Sequence, residues 1–166
     1  MPLHDDPTQA ALYGYLAGIM DGEGTFGINK TQRTDSWYPS YNAYLCAGMT
    51  EREPMQMLLD AFSGSLSHGS DGLWRWKAVG RLIVLQALPI LISYLHAKRN
   101  QARLLLDFCL DWQDMRQASP EAKAQEFQRR EDAFQALRYM HGGAAATTKR
   151  EGIREDEAIV CTHVKA

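Results

Sequence analysis

The chain is short of several things, and each shortage narrows what it can be. It holds only 3 cysteines in 166 residues. Cys46, Cys109 and Cys161 are widely spaced and odd in number, which fits no disulfide framework and suits a reducing compartment. The 5 histidines are scattered, and no Cys/His spacing suggests zinc. The longest apolar run, Leu82 to Leu95, is interrupted by Gln86, Pro89 and Ser93 and is too short to span a bilayer. The opening residues, Met-Pro-Leu-His-Asp-Asp, lack the basic and then apolar regions of a secretory leader. Basic excess is missing as well: the net charge is −2 and the pI is near 6.2, which counts against a nucleic-acid partner. What remains is an ordinary globular composition, 45% hydrophobic and 23% charged, long enough for one proper core. The expected setting is intracellular, cytoplasmic in a bacterium or the matrix of an organelle, without membrane contact.

The most informative stretch is Tyr13 to Ile28, YGYLAGIMDGEGTFGI. Leu12, Tyr15, Leu16, Ile19 and Met20 recur at helical spacing. Gly14 and Gly18, with Ala17 beside them, leave one helix face almost without side chains. Glycine inside a helix costs about 1 kcal/mol relative to alanine, so two on one face imply close approach of another backbone. The helix ends in Asp21-Gly22-Glu23-Gly24, after which Thr25-Phe26-Gly27-Ile28-Asn29 alternates with period two, a strand signal. Two acids at a helix C-terminus oppose the helix dipole, so something cationic is expected beside them. Gly22 to Gly27 also satisfies G-x-G-x-x-G. That fingerprint needs a strand before it and a helix after it; the order here is reversed, which rules out a dinucleotide site.

Leu16-Ala17-Gly18-Ile19-Met20-Asp21-Gly22-Glu23-Gly24 resembles the LAGLIDADG motif of homing endonucleases, in residue identity and in its helix-to-strand context. The rest of the chain agrees with the resemblance over roughly residues 10–150. A strand from about Thr25 to Arg33 and another from Tyr41 to Met49 form a hairpin with one apolar and one polar face. Glu51 to Phe62 reads as a short amphipathic helix. A second hairpin follows, weak from Gly64 to Ser70 and clear from Leu73 to Val79, with Asp71-Gly72 as its turn. Arg81 to Leu95 is helical but expected to break in two at Pro89. A further helix follows the Lys98-Arg99-Asn100-Gln101 junction. Ser119-Pro120-Glu121 starts a last helix that runs to about Met140. The predicted fold is α+β: an αββαββα core with an antiparallel sheet saddle and extra C-terminal helices. Residues 1–9 are a lead-in, 10–141 the endonuclease domain, and 142–166 a link and tail.

A single motif copy implies a homodimer of the single-motif subfamily, paired through Gly14, Ala17 and Gly18 about a two-fold axis. Such pairing predicts a long pseudo-palindromic double-stranded DNA target. The resemblance makes Glu23, Lys98 and Asp21 the catalytic candidates. Glu23 and the Gly22 carbonyl are the expected metal ligands, for Mg²⁺ in the first place, with Mn²⁺ or Ca²⁺ able to occupy the site. Hard oxygens and a phosphate substrate suit Mg²⁺, which takes one or two protein carboxylates. Asp21 is expected to support the motif helix more than to bind metal. DNA readout is assigned to the polar strand faces: Asn29, Thr31, Arg33, Ser40, Asn42, Tyr44, His68, Ser70, Arg75 and Lys77. A major groove admits a β-ribbon, and Lys149 and Arg150 would touch phosphates. The implied activity is a metal-dependent double-strand break that promotes mobility of an intron. The alternatives on the same scaffold are a maturase that binds its intron RNA and a non-cleaving DNA-binding protein.

Overall fold

A computed structural model describes residues 6–32, 34 and 36–142. Nine elements follow one another: α1 Pro7–Glu23, β1 Gly24–Thr31, β2 Ser40–Met49, α2 Arg52–Phe62, β3 Ser65–His68, β4 Trp74–Val79, α3 Arg81–Tyr94, α4 Arg99–Leu110 and α5 Pro120–Met140. The two hairpins join into one antiparallel sheet of order β1-β2-β4-β3. This is the expected α+β architecture.

Strand alternation places the core on one side of that sheet. Phe26 pairs with Leu45 and Ile28 with Ala43, while Leu45 meets Ala78 and Ala47 meets Trp76 across β2 and β4. All are buried, and they pack with Leu16 and Met20 of α1, Met55 and Leu58 of α2, Leu88 and Leu91 of α3 and Leu105 of α4. The helices therefore cover one sheet face and leave the other open, as a single-sided amphipathic sheet requires. Among the described residues no helix is long and apolar enough to cross a membrane.

Local chemistry fixes the helix ends. Asp6 accepts from the Thr8 N–H at 2.9 Å, ahead of Pro7 in the first turn of α1. Ser119 accepts from Ala122 N–H at 3.2 Å with Pro120 next to it. Both are N-terminal signatures that offset orphan donors. Gly64 has φ +113°, and a Cβ there would lie 2.5 Å from the Lys77 carbonyl oxygen; only glycine suits that turn.

One expectation fails. Helix α3 does not break at Pro89 but runs unbroken from Arg81 to Tyr94. Val84, Ala87, Leu88 and Leu91 lie on both sides of the proline and are wholly buried. Their packing outweighs the one backbone bond that proline removes, a cost of about 3 kcal/mol. Strand β1 also stops at Thr31 rather than Arg33, and Arg33 lies outside the described residues, as do Lys149 and Arg150.

Helix α5 is tied to the first hairpin by Glu131. Its carboxylate accepts from Lys30 Nζ at 2.7 Å and from the Tyr41 hydroxyl. Burial alone would raise the Glu131 pKa, but bonds from Lys30, Tyr41 and Gln135 bring it down to about 2. The same burial, with that carboxylate beside it, pushes the Tyr41 phenol well up.

Candidate active site and nucleic-acid interface

The motif end is assembled from backbone groups of two helices. Asp21, in the last turn of α1, accepts from the backbone N–H of His96 at 2.7 Å and of Lys98 at 2.9 Å. Those donors lie in the junction just before α4, so the carboxylate ties that junction to the end of α1. Burial works to raise the Asp21 pKa, yet the backbone bonds from Lys98, His96 and Ala97 prevail and lower it. Lys98 completes the charge balance: its Nζ donates to the Gly24 carbonyl at 2.6 Å and the Gly22 carbonyl at 3.1 Å. Here is the cation that the two acids at a helix C-terminus demanded. Burial lowers the Lys98 pKa, held back by the neighbouring charges of Asp21 and Glu23 and by Cys46. Glu23 and Gly22 are exposed, whereas Gly24 is buried.

The open sheet face continues from this point. Register places Thr25, Cys46, Lys77 and Ser65 in one row across all four strands. Further rows hold Gly27 beside Tyr44, Asn29 beside Asn42, Thr31 beside Ser40, and Gly48 beside Arg75 and Ser67. A Cβ on Gly27 would come within 2.3 Å of the Tyr44 ring; glycine lets that ring lie flat across β1. Lys77 Nζ sits 5.8 Å from the same ring. Arg75 is gripped by Asp71, whose two oxygens take its guanidinium, one bond at 3.0 Å. That pairing holds the Asp71 carboxyl down at about 2. Asn42 Nδ2 donates to Ser40 Oγ at 3.4 Å.

Several candidates move. His68 pairs with Trp74 and stacks on its ring at 4.6 Å, so it shares the helix-side face and not the face of Arg75 and Lys77. The short β3 hid this, because its small polar residues carry no clear alternation; its outward residues are Ser65 and Ser67. Ser70 lies in the turn beyond the strand. Ala17 is fully buried against the chain's own core and so is unavailable to a second protomer. Gly18, by contrast, is exposed, and a Cβ there would meet nothing within 4 Å.

One residue at the motif end has no sequence signal. Helix α5 ends beside the entry to α4, where Gln101 Nε2 donates to the Met140 carbonyl at 3.3 Å. This brings His141 next to Lys98. Burial and the Lys98 charge lower its pKa, opposed by a bond to the Phe26 backbone. Only the length and direction of α5 put it there.

Among the described residues, no group of three or more His, Cys, Asp or Glu side chains could hold a metal ion. The donor set at the motif end is one exposed carboxylate, Glu23, and the adjacent Gly22 carbonyl. Hard oxygens in that small number fit Mg²⁺, which keeps water and substrate phosphate as its remaining ligands.

No protein-family model matches the sequence, and no curated protein matches it. Solved structures do match the fold. The homing endonuclease I-CvuI, in complex with its target in the presence of Ca, aligns with a TM-score of 0.69 at 18% identity, over 81% of this chain and 85% of that one. The archaeal intron-encoded homing endonuclease I-Vdi141I, complexed with DNA, gives 0.67 at 11% identity, over 90% and 91%. The group I intron-encoded homing endonuclease I-CeuI, also complexed with DNA, gives 0.62 at 13% identity, over 81% and 70%. The chain has the LAGLIDADG homing endonuclease fold.

Proposed function

We propose that this protein is a site-specific DNA endonuclease that works as a homodimer and makes a divalent-metal-dependent double-strand break in a long pseudo-palindromic target. Its biological role on this reading is to promote the mobility of an intron. The observation that carries the reading is the meeting, at one point, of the Asp21–Lys98 cluster, the exposed Glu23 and the open polar sheet face. The fold is also one that I-CvuI, I-Vdi141I and I-CeuI present to DNA.

Each residue then has a task. Asn29, Thr31, Asn42, Tyr44, Lys77 and, once freed from Asp71, Arg75 lie against base edges in the major groove. Asp21 fixes the turn by holding two backbone donors. Glu23 and the Gly22 carbonyl would hold Mg²⁺, which supplies a polarised water and neutralises charge on the phosphate. Lys98 presents a half-buried ammonium beside those oxygens, suited to stabilise negative charge as it builds on phosphate. Gly14, Gly18 and Gly22 leave one side of α1 open for the same helix of a second protomer, which brings a second Glu23 close to the opposite strand.

The test is cleavage of the intronless form of the host gene with and without Mg²⁺, comparing the parent with Glu23→Gln. Metal-dependent double-strand cutting that the variant loses supports the assignment. Tight binding without cutting by either protein overturns it in favour of a maturase or a DNA-binding regulator.

A further inference from the structure

A cavity of about 830 Å³ opens away from the motif end, between the β1–β2 turn and the α4–α5 connection. Its size is that of a small-ligand site. Trp37, Tyr38, Trp112 and Phe127 furnish aromatic walls, and Arg116, Lys123 and Arg130 the cations, with Asp114 the one acid. Trp37 is 98% exposed, an indole held in water at a hairpin tip, where it loses the burial that usually places such a ring. The other rings are set. Tyr38 stacks parallel on Phe127 at 4.0 Å, and Trp112 is covered on one face by Arg130 at 3.7 Å.

The charges decide what the cavity would accept. Arg130 shares the Glu126 carboxylate with Arg129, at 2.7 and 2.8 Å, and Arg116 is paired with Asp114. The Lys123 ammonium has no ion-pair or hydrogen-bond partner among the described residues. The lining therefore has a surplus of positive charge beside exposed π faces, and the Lys123 ammonium is its one cation not held by an acid among the described residues. One phosphodiester carries one negative charge, and every base has a face to stack, whatever the sequence. A free nucleoside monophosphate offers the same stacking face but none of the neighbouring phosphodiesters, each of which adds counterion release.

We propose that this cavity binds one unpaired nucleotide of a nucleic-acid strand, its base stacked on Trp37 and its phosphodiester on Lys123. The turn that bears Trp37 joins β1 to β2, so a strand leaving the outer end of the open face at Thr31 and Ser40 would reach the cavity directly. Only that source of the strand depends on the endonuclease reading; the site itself does not.

Titration of the full chain with oligothymidylate of eight residues, read by quenching of tryptophan fluorescence, tests it. The same length of abasic strand and dTMP serve as separate probes. The thymidylate strand should bind saturably and at least tenfold more tightly than the abasic strand, with dTMP weaker still. Trp37→Leu should cost about fivefold to a hundredfold in affinity, the range for one stacked base; binding is then read by anisotropy of an end-labelled strand. Lys123→Ala should lower the slope of log affinity against log salt by about 0.7. Equal binding of thymidylate and abasic strands, or no change in either variant, overturns the proposal; so does dTMP binding as tightly as the strand. None of these probes requires cleavage, so failure of the nuclease reading leaves them interpretable.

Discussion

The motif end and the open sheet face are adjacent, yet they are held in different ways. At the motif end the partners are mostly backbone: Asp21 grips two N–H groups and Lys98 two carbonyls. On the sheet face the partners are side chains: Arg75 on Asp71, Lys77 over Tyr44, Asn42 on Ser40. Backbone partners persist whatever residues surround them, so the geometry for chemistry is built in before any ligand arrives. Exposed side-chain pairs are worth little and exchange readily. On the proposed endonuclease function, a surface of that kind can change its target without disturbing cleavage.

The largest expected effect breaks the comparison on the chemical side. Glu23→Gln should lower cleavage about a thousandfold, equivalent to about 4 kcal/mol, with the melting temperature and DNA affinity kept. Equal loss of binding would move Glu23 to the reading surface. Next is Asp21→Ala, which strands two backbone donors and should destabilise the fold by about 3 kcal/mol, as measured by urea unfolding. Since hydrogen bonds depress the Asp21 pKa, its contribution is present above the ordinary carboxylate range and is lost as pH falls through that range.

Glu131 sharpens the contrast within one helix. Its pKa is lowered from 4.5 to about 2, so its stabilisation is complete above pH 4.5 and disappears toward pH 2. Glu131→Gln should cost about 1–3 kcal/mol at pH 7 and converge with the parent at pH 2, without altering metal-dependent cutting. Gly18→Val adds a side chain where the protomer has space. It should leave the protomer folded, with a gain of a few tenths of a kcal/mol (about 0.3) because valine is the better helix former, and turn a dimer into a monomer in sedimentation equilibrium. An unchanged dimer would place the interface elsewhere. The smallest effect belongs to the sheet: Asp71→Asn should remove the carboxylate that competes for Arg75 and strengthen DNA binding about twofold to fivefold, measured at low salt where such pairs matter most.

Much of this was legible because it depends on near neighbours. The caps at Asp6 and Ser119, the two hairpins and the end of the motif helix follow from residues a few positions apart. Lys98 was reached only through its resemblance to a family position; as a junction lysine it carries no local signal. Pro89 misled because helix-breaking is a local rule, whereas the buried Leu88 and Leu91 on either side keep α3 continuous. His68 misled because a four-residue edge strand of small polar residues has no period to read. Ala17 was grouped with its glycine neighbours, although helical spacing turns it toward the core.

The sequence alone determined the order of elements, the carboxylate-bearing turn and the need for a cation beside it, since helix periodicity, strand alternation and the helix dipole act along the chain. Tertiary structure decided which cation that is, which sheet residues share a row with Cys46, that His141 lies beside Lys98 and that Trp37 and Trp112 line one cavity. Those depend on segments separated by tens of residues, and their meeting is set by how the helices pack on the sheet.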